Sequence, residues 1–406
     1  MKGGGEGSSA DLDDVTGRSP AVALQLKERM AFPKELLTFI LSLTAPLFLY
    51  TANNISALQN RPLVILGVEV ALLAAVLSVA YLCVRKEKSV DFLFYVFSLF
   101  SFTSISDLTC ALELDGYIKG FLDFYINKGE PYLSTAHSIM KNYWNGGVHF
   151  VLLLAIIHRM RKGKPYRSLA LLWAGSMVAT QIVYIPSIAI GKHAKNIYPA
   201  FWLNLFFLVL PIWTAVKLFN RPRELIVIPA DTVEAEQKKS LLFRPIDFLL
   251  TLSVLGAMAF TVFRGFVVLE CTLDICFTYI YQYEPYMKDS VAFPKVMMLV
   301  FLFYALPLLT LLVYGLTVPG CTWMLDWSLF LAGAIAQMQW TYIGASVHSR
   351  TPFTYRIPKE EWRLVMTLNL VYLAVPVLLA VRCYIAPAFF MKPVPPGQTD
   401  NGKKHK

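Results

Sequence analysis

Ten stretches of the chain stay apolar over about the 20 residues that a helix needs to cross a bilayer. They cover roughly 36–51, 62–84, 91–112, 135–158, 168–190, 199–219, 246–269, 292–318, 327–347 and 364–385. The first is short, and the fourth is interrupted by Lys141, Asn142, Asn145 and His149. The pattern predicts an all-α, polytopic membrane protein of about ten transmembrane helices. Residues 1–33 hold Gly, Ser and Asp without an apolar run and read as a disordered tail. No charged-then-apolar leader opens the chain, so no cleaved signal peptide is expected.

Ten crossings put both ends on one side of the membrane. Of the 37 Lys and Arg residues, 24 fall in the two ends and the loops on their side. Eleven fall opposite, and Lys141 and Arg264 lie inside spans. Because Lys and Arg concentrate in cytosolic loops, both termini are expected in the cytosol.

The spans also repeat. Asp91-Phe92-Leu93 recurs as Asp247-Phe248-Leu249, and Glu130-Pro131-Tyr132 as Glu284-Pro285-Tyr286. Ala174-Gly175, Gln181 and Tyr184-Ile185 recur as Ala332-Gly333, Gln339 and Tyr342-Ile343. Leu203-Asn204-Leu205 and Pro211 recur as Leu368-Asn369-Leu370 and Pro376. Matches in the same order indicate two four-span units. The expected organisation is a cytosolic tail at 1–33, two leading helices at 34–88 and a first unit at 89–219. A cytosolic linker at 220–243, a second unit at 244–386 and a cytosolic tail at 387–406 follow. Four spans per unit insert both units in the same orientation, around an axis along the membrane normal.

Composition narrows the function classes. The chain is 56% hydrophobic and 16% charged, against about 25% charged in a soluble domain. A soluble multidomain enzyme and a disordered or collagen-like chain are excluded. The net charge of +10 belongs to the cytosolic loops, so no nucleic-acid partner is expected. Six cysteines without CxxC pairs make neither a disulfide scaffold nor a zinc site. Cys271 and Cys276 alone fall on the lumenal side, where oxidation is permitted. A disulfide between them is expected, with two free thiols as the alternative. No GxSxG, HExxH, GxxxxGK[ST] or GxGxxG occurs, and no metal or cofactor is expected.

Ionisable and amide groups inside the spans are the candidate chemistry, because each needs a partner or a ligand in hydrocarbon. Asp107 lies midway in the third span, and Arg264 takes its place in the second unit. They read either as ligand anchors or as an ion pair across the repeat interface. Asn204 and Asn369, each seven residues before a proline, would bind a ligand hydroxyl or tie helices together. Gln181 and Gln339 carry the same alternatives. All six are candidate ligand-binding residues. His137 and His149 lack metal-spaced partners and read as interfacial, as do Trp144, Tyr166, Trp202, Trp323, Trp327 and Trp362. Ala174, Gly175, Ala332 and Gly333 suit close helix approach. An ion-coupled transporter is the weakest reading, since parallel repeats carry no alternating-access signature.

The two LNLxxLxxP helices, the EPY turns, and the runs CFTYIYQYEPYMKD, VPGCTWMLDW and RTPFTYRIP resemble the transmembrane 6 superfamily. The similarity covers about 31–392; residues 1–29 read as an extension, with Met30 an alternative start. That family is built from two four-helix EXPERA domains, shared with the emopamil-binding sterol isomerases and the sigma-2 receptor. The resemblance implies an endoplasmic-reticulum membrane protein regulating triglyceride and lipoprotein secretion and lipid-droplet content. It implies membrane lipids, including sterol, and the lipoprotein-assembly machinery as partners. It also implies presence in the ER–Golgi intermediate compartment. Lys403-Lys404-His405-Lys406 resembles the dilysine retrieval signal read by the coatomer.

The isomerases' catalytic residues carry over poorly. They place a His and a Glu on the first helix, a Glu on the second, and Asn and Trp three apart on the fourth. Here the first helices offer Thr103, Ser104 and Asp107, or Phe260, Phe263 and Arg264. The second helices offer Lys141 and Asn142, or Met298 and Leu299. Asn204 and Asn369 match, but Phe207 and Tyr372 stand for the tryptophan. A lipid-binding regulator is therefore expected ahead of a sterol isomerase with a degenerate site.

Overall fold

The computed structural model describes residues 34–58, 61–85, 90–223 and 228–392. The Lys403 and Lys404 signal and the 1–33 tail lie outside the described residues. Among the described residues there is no strand. The first expected span is two helices, α1 (Lys34–Leu43) and α2 (Ala45–Asn53), followed by α3 (Pro62–Val84). Pro62 opens α3 at a position where no intrahelical N–H is needed.

The first four-helix group begins with α4 (Leu93–Leu114). Next come α5 (Ala136–Trp144), a π turn at Asn145–His149 and α6 (Phe150–Arg161). Thr135 caps α5, its side chain accepting from the Ser138 N–H. Helices α7 (Arg167–Ile190) and α8 (Leu203–Asn220) complete the group. A short helix α9 (Ala230–Gln237) leads to α10 (Pro245–Val268). Then come α11 (Phe293–Val300), a second π turn at Phe301–Ala305, and α12 (Leu306–Thr317). Helices α13 (Met324–Val347) and α14 (Trp362–Ile385) close the chain's helical part. The second helix of each group thus carries a π turn at the same place.

Eight helical segments among the described residues are long and apolar enough to cross a membrane. The two other expected spans are helical as well. Residues 136–161 carry the polar positions that break the apolar pattern, and α13 carries Asp326, Gln337 and Gln339. Both are shielded by protein: Asn142, His149, Gln337 and Gln339 are almost wholly buried. The leading helices behave oppositely. Leu63, Val70, Tyr81 and Leu82 of α3 are half exposed or more, as a lipid-facing surface requires.

The two groups join through α7 and α13. A Cβ on Gly175 would come within 1.9 Å of the Phe330 carbonyl oxygen, and one on Gly333 within 2.0 Å of that of Leu172. The contact is reciprocal, with both partners 158 positions on, as a pseudo-two-fold axis demands. Only glycine permits backbones this close.

Each group is closed by the same ion pair at the face rich in Lys and Arg. Asp91, just before α4, meets Arg221 just after α8, with Arg221 Nη1 to Asp91 Oδ2 2.6 Å. Asp247 in α10 meets Arg382 near the end of α14, Nε to Oδ1 2.7 Å. Burial raises the Asp91 carboxyl, but the Arg221 and Tyr166 hydrogen bonds outweigh it and hold the group below its ordinary value. At the opposite end, Cys271 and Cys276 are joined by a disulfide, their Cα atoms 6.0 Å apart.

Candidate ligand site

In the first group, a cavity of about 230 Å³ opens between α4, the α5–α6 helix, α7, α8 and the leading helices. Asp107, Gln181 and Asn204 all line it. They are joined there by Glu69, Glu130, Lys141, Asn145 and His149. The π turn explains why the second helix contributes so much. It rotates Asn145 and His149 inward, and Asn145 Nδ2 donates to Asp107 Oδ2 at 2.8 Å. Lys141, the one cation of this wall, acts electrostatically on Asp107 and sits 4.1 Å above the Tyr184 ring.

Glu130 comes from the loop, not from a helix. Its Oε1 accepts from Asn204 Nδ2 at 2.7 Å and from the Tyr132 hydroxyl at 2.7 Å. Burial pushes this carboxyl above the usual carboxylate range. From the leading helix α3, Glu69 accepts from the Tyr125 hydroxyl at 2.6 Å. Three acceptor atoms on the cavity's lining residues have no protein partner among the described residues: Gln181 Oε1, Asn145 Oδ1 and Glu69 Oε2. Buried acceptors of this kind are normally satisfied, so a hydroxyl or ammonium group would find partners here. The remaining lining is apolar, with Phe48, Leu72, Leu73, Phe100, Met177 and Phe207.

The second group builds the same place differently. Arg264, 2% exposed, is the ionisable residue in the interior of α10, as Asp107 is in α4. Its Nε donates to Glu284 Oε2 at 3.0 Å and its Nη2 to Asn369 Oδ1 at 2.8 Å. Arg264 Nη2 also bonds Glu284 Oε1. Asn369 Nδ2 donates to Glu284 Oε1 at 2.8 Å, and the Tyr279 hydroxyl to Oε2 at 2.8 Å. The guanidinium packs over the Phe260 ring at 4.5 Å. Charge and hydrogen-bonding capacity are thus met within the protein. Gln339 is fully buried, and neither its oxygen nor its nitrogen has a partner among the described residues.

Three expectations need correction. Asp107 and Arg264 are not partners: Asp107 accepts from Asn145 in its own group, and Arg264 pairs with Glu284 in its own. His149 is not interfacial. It is 1% exposed and its Nε2 lies 2.6 Å from Ser176 Oγ. Trp144 does not serve only as a belt residue, since its Nε1 donates to Ser176 Oγ at 3.0 Å. Glu130 and Glu284 received no role from the sequence. The available signal was an acid repeated in both units directly before a Pro-Tyr pair.

A family model described as "Transmembrane 6 superfamily member 2-like, transmembrane domain" matches residues 44–229. The chain is 45% identical to "Transmembrane 6 superfamily member 2" of Rattus norvegicus over 90% of its length and 97% of that protein's. It is 46% identical to the Mus musculus protein of that name over 87% of its length and 94% of that protein's. It is 45% identical to the Homo sapiens one, again over 87% and 94%. No solved structure matches the chain significantly.

Proposed function

The chain belongs to the transmembrane 6 superfamily member 2 family, and on that premise we propose that it is an endoplasmic-reticulum regulator of lipid metabolism that holds a lipid in the first group's cavity. The lipid is apolar with one hydroxyl or amine, as a sterol is. It acts on triglyceride and lipoprotein secretion and on lipid-droplet content, in contact with the lipoprotein-assembly machinery. The observation that carries the lipid reading is the cavity's polarity. Acceptors gather at Asp107, Gln181 and Glu69, and hydrocarbon side chains form the rest. At about 230 Å³ it is smaller than the roughly 300–1,000 Å³ of a site enclosing a drug-sized ligand. It therefore holds the polar end, and the apolar remainder leaves between α2 and α3, past Phe48, Leu49 and Leu72. The leading helices are on this reading the outer wall of the site. Photo-crosslinking with a diazirine sterol probe tests it: the label belongs on α3, α4 or α7, and labelling confined to α10–α14 rejects it.

A second reading has its own observation. Asp107, Glu130 and His149 share the cavity wall, which supplies the acid and base groups that moving a double bond needs. If sterol incubated with the purified protein emerges with its double bond shifted, the protein is an isomerase; unchanged sterol rejects this second reading. Retention in the endoplasmic reticulum is assigned to Lys403 and Lys404 through the coatomer, with both termini cytosolic. Replacing both lysines by serine should release the protein to the Golgi.

A further inference from the structure

The joint between the two groups leaves a second cleft. It has a volume of about 1,540 Å³, well beyond a drug-sized pocket. Its floor is the α7–α13 contact itself, with Ser176, Ala332, Gly333 and Ala336. Small side chains there keep the floor low while Leu152 and Val381 stand on either side. Its outer residues Val148, Val381 and Tyr384 are 39%, 44% and 59% exposed, so this part of the cleft meets the hydrocarbon of the bilayer.

The mouth is different. Arg159, Lys164, Arg167, Arg221 and Arg223 line it, at the ends of α6, α7 and α8 on the face rich in Lys and Arg. Among the described residues, two carboxylates oppose these five cations. Asp91 is taken by Arg221. Asp326 is shared, by Arg167 at 2.7 Å and Arg223 at 2.9 Å. Arg159 gives one hydrogen bond, to the Pro165 carbonyl at 2.9 Å. Lys164 is exposed, and no side-chain partner is found for it among the described residues. Counted over the described residues, an excess of three positive charges thus stands at the membrane-surface end of an apolar groove. Guanidinium forks match phosphate oxygens in geometry, and basic clusters beside a membrane attract anionic lipids.

We propose that this cleft is a second lipid site, separate from the cavity in the first group, and that it takes an anionic glycerophospholipid. The phosphate sits among Arg159, Lys164 and Arg223, and the acyl chains lie along the α7–α13 floor between Leu152 and Val381. The same chain then holds one lipid inside a helix group and another between the groups, where a lipid would bear on how the two are packed.

The full chain reconstituted in phosphatidylcholine vesicles doped with an acyl-diazirine phosphatidic acid tests the assignment. Labelled peptides should come from α6, α13 or α14. Arg159→Ala with Lys164→Ala removes charge without breaking an ion pair and should cut labelling roughly 30-fold. Ala336→Phe fills the floor, keeps every cation and should cut it as well. Neither change should alter labelling of the first cavity by a sterol probe. Equal labelling by the matching phosphatidylcholine probe would mean ordinary boundary lipid and overturns the proposal. So does undiminished labelling in both variants, or displacement by free glycerol phosphate as effective as by phosphatidic acid.

Discussion

The first helix of one group carries Asp107 and that of the other carries Arg264, and the two interiors are bonded differently. In both, a loop glutamate accepts from an asparagine of the fourth helix, Glu130 from Asn204 and Glu284 from Asn369. In the second, the arginine adds a cation against the glutamate, and its guanidinium fills the centre. In the first, the donors to the glutamate among the described residues are a hydroxyl and an amide, Lys141 acts on it without an ion pair, and a cavity remains beside it. A repeated scaffold has thus become one group held by a buried ion pair and one with acceptors to spare. A buried pair must be complete, because either half alone is far costlier than both. A cavity lined by acceptors tolerates change better and leaves room for a ligand.

The largest way to break this contrast is Arg264→Leu. It leaves Glu284 charged and unpaired, a loss of about 3–5 kcal/mol. We expect the melting temperature of the solubilised protein to collapse, and Arg264→Leu with Glu284→Leu to recover most of it. If the single variant melts like the parent, the second group is not held by this pair.

Smaller is the effect of Gly333→Ala. Its methyl must displace the Leu172 carbonyl from 2.0 Å, and overpacking of this kind costs about 1–3 kcal/mol. Gly175→Ala should match it, since the contact is reciprocal. Unequal losses in melting temperature would show that the joint is less symmetric than its geometry.

Asn204→Leu and Asp107→Asn probe the other side. Each removes a cavity contact, and the loss of one such hydrogen bond is about 1–3 kcal/mol, or roughly 5- to 150-fold in affinity. Sterol crosslinking should fall while folded yield holds. Asn369→Leu should do the reverse, lowering yield and sparing crosslinking. If Asp107→Asn keeps crosslinking and aggregates instead, Asp107 is structural and the two groups differ less than proposed.

The smallest effect is that of pH on the Asp91–Arg221 clasp. The Asp91 carboxyl titrates below its ordinary value, so its stabilisation is complete above about pH 3.9. It is lost as pH falls through the lowered folded value. As an ion pair at the protein surface it should give at most about 1 kcal/mol. Asp91→Asn should flatten that acid limb of a melting-temperature profile, and an unchanged limb would assign it to other carboxylates.

Much of this was legible in the chain. Repeated Ala174-Gly175 and Ala332-Gly333 announce a close helix contact, because side-chain volume alone decides how near two backbones come. Asp107, Gln181 and Asn204 were legible as inward-facing, because hydrocarbon rejects polar groups whatever the fold. The DFL repeat was visible, yet its partners Arg221 and Arg382 lie more than a hundred residues along, and no local pattern names them. His149 was misread because its span's polar residues suggested an end, whereas the π turn carries it into the protein.

The sequence by itself determined which segments are helical and apolar and which groups must avoid lipid, since bilayer solvation acts residue by residue. Only the tertiary structure decided who pairs with whom. Asp107 and Arg264 have complementary charges and still do not meet, because each finds its partner, Asn145 or Glu284, within its own group. Pairing depends on distance in space, and that distance is set by the packing of all the helices at once.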